Sequence, residues 1–329
     1  WQSIHRMVCA HLKHPKLRIV MSFHPLLIGG NPFSVTSVYS LIHILEQRWG
    51  VHSAMGGTGA IVQALVGLLK DRHIPIRYRA PVTRIRVKNR KALGVELDNG
   101  EFLAADIVVS NTDAAWMYRH LIEAKHRPHW PDKRIEKGKY SSGLFVWYFG
   151  TNRCYPDVPH HMMVLGPRYK GLLQDIFKRH VLAEDFSLYL YRPTATDPSL
   201  APPGCDTFYA LSVVPNLESG TPWHAVAERY RDAIAMRLQA SVLPDLQRHV
   251  VSSRITTPQD FHDRLWSYKG AGFGLEPILT QSAWFRPHNR SEDIQGLYMV
   301  GAGTHPGAGV PGVLMSAKAL EKVVPHVHA

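Results

Sequence analysis

The residues with the clearest chemical potential lie near the end of the chain, in Gly301-Ala-Gly-Thr-His-Pro-Gly-Ala-Gly-Val-Pro-Gly312. Glycine permits positive φ and lets a ligand approach the backbone. Pro311 suits the first turn of a helix, where no N–H is needed. A helix beginning here offers free N–H groups and a partial positive charge, suited to a phosphate or to the electron-rich carbonyl edge of a ring. The same composition also makes a tight strand-to-helix connection that holds no ligand. Gly307-x-Gly309-x-x-Gly312 has the letters of the dinucleotide fingerprint. That reading is set aside, because the preceding strand ends several residues too early and no ribose-binding acid follows about 20 residues on. Gly56-Gly57-Thr58-Gly59 is a second such turn, and starting a helix accounts for it.

Other chemistries find no residues to carry them. No HExxH occurs. His160-His161, His126/His129 and His326/His328 lack carboxylate partners at useful spacing, so the 20 His read as surface residues and no metal site is expected. There is no GxSxG, and no Ser or Cys stands out as a nucleophile. Cys9, Cys154 and Cys205 are far apart with no CxxC, which suggests neither disulfides nor zinc and fits a reducing compartment.

Charge narrows the partners. Lys+Arg is 38 against 26 Asp+Glu, a net +12, which favours nucleic acid, an acidic membrane surface or a phosphate-bearing ligand. Nucleic acid is set aside, since no RNP, zinc-finger or basic-helix pattern appears. No apolar run reaches the roughly 18 residues of a membrane span. Basic and aromatic residues cluster in Lys125–Lys139 and Arg168–His180. In the second, Leu172, Leu173, Ile176 and Phe177 form an apolar stripe beside Lys170, Lys178 and Arg179. Such a stripe can lie on an anionic bilayer or pack on its own core.

The elements that must position these residues alternate in kind. With 329 residues, 45% hydrophobic and 19% charged, the chain has room for two average domains or one large one. Trp1, Ile4, Val8 and Leu12 keep helical spacing, as do Val38, Leu41, Ile42 and Leu45, and Ala60–Lys70 with Ile61, Leu65, Leu68 and Leu69. Strands are predicted at Ile74–Arg79, Val82–Lys88, Leu93–Leu97, Glu101–Ala104 and Ile107–Asn111, with Asp98-Asn99-Gly100 as a hairpin turn. Aromatic-rich strands follow at Leu144–Phe149, Met162–Leu165, Phe186–Tyr191 and Phe208–Val214. A helix is predicted from Trp223 to Leu243 and a strand at His249–Ile255. Leu297–Val300 reads as a buried strand and Val310–Val323 as a helix. The chain starts at Trp1 without Met or a signal-peptide core, as expected of a segment that begins inside a longer protein.

Several motifs in order then carry a family likeness. Leu297–Gly312 (LYMVGAGTHPGAGVPG) closely resembles the C-terminal signature of bacterial carotenoid desaturases. Phe23–Phe33, Gly56–Val62, Leu182–Leu190 and Leu279–Arg290 resemble further segments of the phytoene desaturases in this group. The group belongs to the flavoprotein amine oxidase superfamily. The resemblance implies FAD as cofactor and removal of hydrogen from phytoene and partly desaturated carotenoids. It also implies a membrane surface as partner, which the net charge of +12 makes an anionic one, and a peripheral site on the cytoplasmic face. The implied fold is mixed α/β: part of a GR2-type FAD-binding domain, lacking its N-terminal dinucleotide-binding strand and turn, with an inserted, mostly antiparallel substrate-domain sheet under covering helices. The corresponding division is 1–55 helical and membrane-side, 56–115 FAD domain with a β-meander, 116–270 substrate domain, and 271–329 the C-terminal part of the FAD domain.

Residue by residue, the resemblance places Gly301, Ala302 and Gly303 near the FAD ribityl and pyrophosphate. Val310, Pro311, Gly312 and Val313 would face the flavin pyrimidine edge, and the backbone of Val82 would meet the adenine. It carries over no catalytic acid or base. The rival readings are a related desaturase or isomerase, and a non-catalytic module that binds apolar ligands or membranes.

Overall fold

The computed structural model describes residues 2–325. Trp1, His326 and His328 lie outside the described residues. Short helices come first: α1 (Ile4–His11), α2 (Pro15–Val20), α3 (Leu41–Trp49) and α4 (Gly57–Asp71). Strands β1 (Val82–Lys88), β2 (Lys91–Leu97), β3 (Phe102–Ala104) and β4 (Val108–Ser110) follow, then α5 (Ala114–Trp116) and α6 (Asp132–Lys137). The middle holds β5 (Gly143–Thr151), β6 (His161–Val164), α7 (Tyr169–Gln174), β7 (Leu188–Tyr191) and β8 (Asp206–Val214). It continues through α8 (Trp223–Gln239), α9 (Leu246–His249), β9 (Val250–Thr256) and α10 (Pro258–Leu265). The end returns to strand and helix with β10 (Leu297–Met299) and α11 (Val310–Glu321).

Packing divides the chain into two compact units. The first comprises Trp1–Leu45, Tyr78–Ser142 and Phe261–Ala329, and the second Glu46–Arg77 and Gly143–Asp260. This division, made on compactness, groups the helix after the Gly56 turn with the aromatic strands.

In the first unit, β1, β2 and β3 form an antiparallel meander, with Ile85 opposite Val95 and Val95 opposite Leu103. Its second turn is the expected one: Gly100 has φ 83°, and Asn99 Oδ1 accepts the Glu101 N–H at 2.9 Å. The first turn, at Asn89 and Arg90, takes positive φ (50° and 61°) at two non-glycine residues. A separate parallel pair joins β4 to β10. Buried Met117, Tyr118, Trp130, Ile135, Leu297 and Met299 belong to this unit's core.

In the second unit the aromatic strands form one antiparallel sheet of order β6-β7-β8-β5-β9. Alternation decides its inner face. Phe208, Ala210, Ser212 and Val214 are buried on β8, while the residues between them are partly accessible. Trp147, Phe149, Leu188, Leu190 and Phe208 share a core with Tyr230, Ile234 and Leu238 of α8. Each fully buried side chain of this size contributes about 1.5–3 kcal/mol. The Trp147 indole N–H is satisfied by Ser253 Oγ at 2.8 Å.

The mixed helix-and-strand architecture with an antiparallel sheet is the one expected from sequence, and one local expectation is corrected. Ile74–Arg79 is not a strand. Pro75 removes a ladder donor, and His73 and Arg79 bracket the segment with positive φ (55° and 52°). The apolar faces of α3 and α4 bury no residue, so Leu41, Leu45, Leu65 and Leu68 are exposed. Of the two readings of the Arg168–His180 stripe, the structure favours packing on its own core: Leu172, Leu173 and Ile176 are buried and Phe177 is half-buried.

Candidate functional site

Two parallel strands from distant parts of the chain organise the site. Leu297 lies opposite Val108 and Met299 opposite Ser110, and the Val300 N–H continues the ladder to Ser110 O at 2.9 Å. Leu297, Tyr298 and Met299 are all buried, as an apolar run in a parallel pair requires. Beyond the carboxyl ends lie Asn111-Thr112-Asp113 from β4 and the loop Gly301–Gly309 from β10. Ligands of open parallel α/β sheets bind beyond such ends.

The loop glycines divide into two kinds. A Cβ on Gly301 would collide with the Asn111 side chain, on Gly303 it would come within 3.0 Å of Ala114 N, and on Gly312 within 2.7 Å of Gly307 O. Those three are glycine because the chain packs against itself there. Gly309 differs: at φ 99° it borders open space, with no atom within 4 Å of a Cβ position.

Buried polar side chains hold the loop in shape. The Gly301 N–H donates to Ser316 Oγ at 2.8 Å, and that hydroxyl donates to Val313 O at 2.6 Å. Asn289 Nδ2 donates to Met299 O and His305 O, both at 3.1 Å. Arg286 Nη2 donates to Ala302 O at 2.8 Å. Sequence reasoning singled out Leu279–Arg290 as a motif but gave Arg286 and Asn289 no role. Ser316 was missed, although it is the lone hydroxyl residue in the apolar stretch Val313–Ala317.

Two cavities flank these strand ends. One, of about 270 Å³, is lined by Pro81, Val82, Ile85, Ser110, Asn111 and Thr112 among others. Asn111 therefore joins the Val82 side of the site to Gly301. The other, of about 170 Å³, is lined by Asp113, Gly303, Trp130, Arg134, Tyr140 and Gln281 among others. Asp113 caps α5, its Oδ1 accepting the Trp116 N–H at 2.9 Å. Burial pushes its carboxyl up to about 6, against the opposing pull of its backbone hydrogen bonds and of Arg286.

Val310 is 58% exposed at the start of α11, with Pro311 in the first turn. Pro311 has no N–H, and the Val313 N–H bonds Gly309 O at 2.8 Å. Among the described backbone hydrogen bonds outside regular elements, the Val310 and Gly312 amides donate to none.

This chain matches the family model of flavin containing amine oxidoreductases over residues 2–319. It is 47% identical to the neurosporene-forming phytoene desaturase of Cereibacter sphaeroides, over 98% of this chain and 63% of that protein. It is 46% identical to the lycopene-forming phytoene desaturase of Pseudescherichia vulneris, over 97% of this chain and 65% of that protein. The chain thus spans less than two thirds of the length of these curated relatives. Among solved structures, an oxidoreductase from Methanosarcina mazei shares the fold at TM-score 0.68 and 19% identity, covering 98% of this chain and 68% of its own. With the family model extending over nearly all of its residues, the chain belongs to the flavin containing amine oxidoreductase family.

Proposed function

We propose that the protein works as an FAD-dependent phytoene desaturase, removing hydrogen from phytoene to lengthen its conjugated polyene. One observation carries this reading: nearly the whole chain aligns at 43–47% identity with proteins named phytoene desaturases. FAD is the cofactor of this reading, as the family description implies.

The strand-end residues suit a flavin in kind. Gly309 borders open space, the Val310 and Gly312 amides stand at a helix N-terminus, and Val82 lines a cavity beside Ser110 and Asn111. In this reading Gly301, Ala302 and Gly303 run beside the ribityl and pyrophosphate, Val310 to Val313 edge the pyrimidine ring, and the Val82 backbone meets the adenine. Bound flavin supplies the acceptor for the hydrogen and electrons that leave the substrate. The chain's own part is to orient and to exclude water. Ser316, Asn289 and Arg286 fix the loop backbone, and the α11 N-terminus favours negative charge beside it.

The substrate is apolar and resides in lipid, so the proposal includes a peripheral position on the cytoplasmic face of an anionic membrane. No helix of the described residues is long and apolar enough to cross one. Support comes from the net charge of +12 and from the exposed apolar residues Leu41, Ile44, Trp49, Val51 and Met55. The functional division of the chain into membrane-side, flavin and substrate segments is part of the same proposal.

The test is to incubate the purified full gene product with FAD and phytoene-loaded liposomes and separate the carotenoids by chromatography. Conversion to neurosporene, lycopene or shorter polyenes supports the reading. A protein that takes up flavin but isomerises carotenoids without lengthening the conjugated system belongs to the isomerase rival. One that retains no flavin is the non-catalytic binding module.

A further inference from the structure

Arg286 is the least explained charge in the first unit. It lies in the motif Leu279–Arg290 and is only 4% exposed. Its Nη2 donates to Ala302 O at 2.8 Å. Its guanidinium lies against Gly307: a Cβ there would sit 3.5 Å from Cζ and 3.6 Å from Nε and Nη1. Its Nε is buried and has no hydrogen-bond partner among the described residues.

A buried arginine of this kind is costly. Desolvation penalises its charge, and an unpaired buried donor adds a further penalty. Burial pulls Arg286 below its ordinary value, while Tyr39 and Asp113 draw it back up. No carboxylate pairs with it directly among the described ion pairs, so nearby negative charge relieves it only in part. A lysine or methionine could fill the volume, but neither carries a planar guanidinium that donates to Ala302 O while lying beside Gly307.

We propose that Arg286 is the positioning residue of the glycine loop: it clamps the backbone from Ala302 to Gly307 and sets a fixed positive charge behind it. This inference rests on the flavin reading for its consequence and on this structure for its geometry. The clamp presents the loop and the α11 N-terminus in one conformation. The only partly compensated charge favours a ligand that gains negative charge at the loop, as a flavin ring does on reduction. Arg286 touches no reacting atom in this account and acts through the loop.

The experiment has two arms, both on the purified full gene product. In the first, amide hydrogen exchange of Ala302–Gly309 is compared in wild type, Arg286→Lys and Arg286→Met without added ligand. The clamp requires exchange in Arg286→Met to rise at least tenfold in this loop and to stay unchanged in the sheet of the second unit. Equal loop exchange in wild type and Arg286→Met overturns the clamp. In the second arm, released FAD per mole of folded protein and the flavin midpoint potential are measured. Arg286→Met is expected to lose FAD and to shift its remaining flavin to a more negative potential, and Arg286→Lys to recover the potential. Identical potentials in all three proteins overturn the electrostatic role. A wild type that holds no flavin, with loop exchange still raised in Arg286→Met, sinks the flavin reading and leaves the clamp standing.

Discussion

The amide of Gly301 and the hydroxyl of Ser316 are 2.8 Å apart, and this bond ties the end of β10 to the body of α11. Ser316 is fully buried, and its hydroxyl passes the connection on to Val313 O. The loop between them is thereby closed at its base like the neck of a bag.

Removing that hydroxyl leaves a buried N–H without its acceptor. Ser316→Ala is expected to cost about 1–3 kcal/mol of stability. Denaturant unfolding of the two proteins, with equal m-values, measures this directly. A change within experimental error would show that the bond is replaceable by water.

The loop glycines separate packing from ligand contact. Gly303→Val and Gly312→Leu push a side chain against Ala114 N and Gly307 O, so each is expected to cost about 1–3 kcal/mol with or without flavin. Val310 is exposed, and its substitution touches no core. Val310→Asp places a carboxylate at a helix N-terminus, where it should hold or raise stability by about 0.3–1 kcal/mol. The same carboxylate repels an anionic ligand, so FAD retention is expected to fall at least tenfold. Thermal melts paired with released-FAD measurements distinguish the two classes. Full flavin occupancy in Val310→Asp would count against the ligand reading of this end of α11.

Asp113 links stability to pH with a definite sign. Its folded-state value of about 6 lies above the roughly 3.9 of an unfolded carboxyl. Its favourable contribution is therefore complete below the unfolded value and is lost as pH rises through about 6. Asp113→Asn keeps an oxygen for the Trp116 N–H and carries no charge to bury. Relative to wild type, the variant should gain stability from about pH 4 to pH 6 and hold a constant advantage above about pH 7. Melting curves from about pH 4 to about pH 6 whose difference stays constant would remove Asp113 from the titrating groups.

Membrane association should be part electrostatic and part apolar. Trp49, Val51 and Met55 are each more than 60% exposed. Co-sedimentation with anionic liposomes is expected to weaken as salt rises, because exposed charges are screened within about 10 Å at 0.1 M. Trp49→Ser should weaken it further at every salt concentration. Binding that ignores salt, lipid charge and Trp49 alike would leave the membrane proposal without support.

Most strands were legible in the sequence because their burial is decided locally. The alternation along Asp206–Val214 and the Asp98-Asn99-Gly100 turn each specify their conformation within a few residues. Ile74–Arg79 misled because its alternating apolar residues outweighed Pro75 in the reading, whereas the backbone obeys the proline. The apolar faces of α3 and α4 announced helices correctly, but nothing local says whether such a face is covered. The glycine loop was legible as a loop. Its supports were not: Arg286, Asn289 and Ser316 act on backbone atoms 15 or 16 residues away, as in Gly301 with Ser316, and hydrogen bonds across such spans leave no periodic trace.

The pairing of β5 with β9 has a consequence for assembly of the strand ends. Val146 lies opposite Thr256, so the two ends of the long segment Gly143–Asp260 are stitched together within the second unit's own sheet. Bringing β4 to β10 otherwise means closing a loop that runs from Ser110 to Leu297. Once the stitch has formed, the free loop is only the chain on either side of it. Closure cost falls with the logarithm of length, roughly 0.6 kcal/mol for each halving. The entropy lost in bringing Ser110 beside Met299 is therefore set partly by hydrogen bonds between Val146 and Thr256.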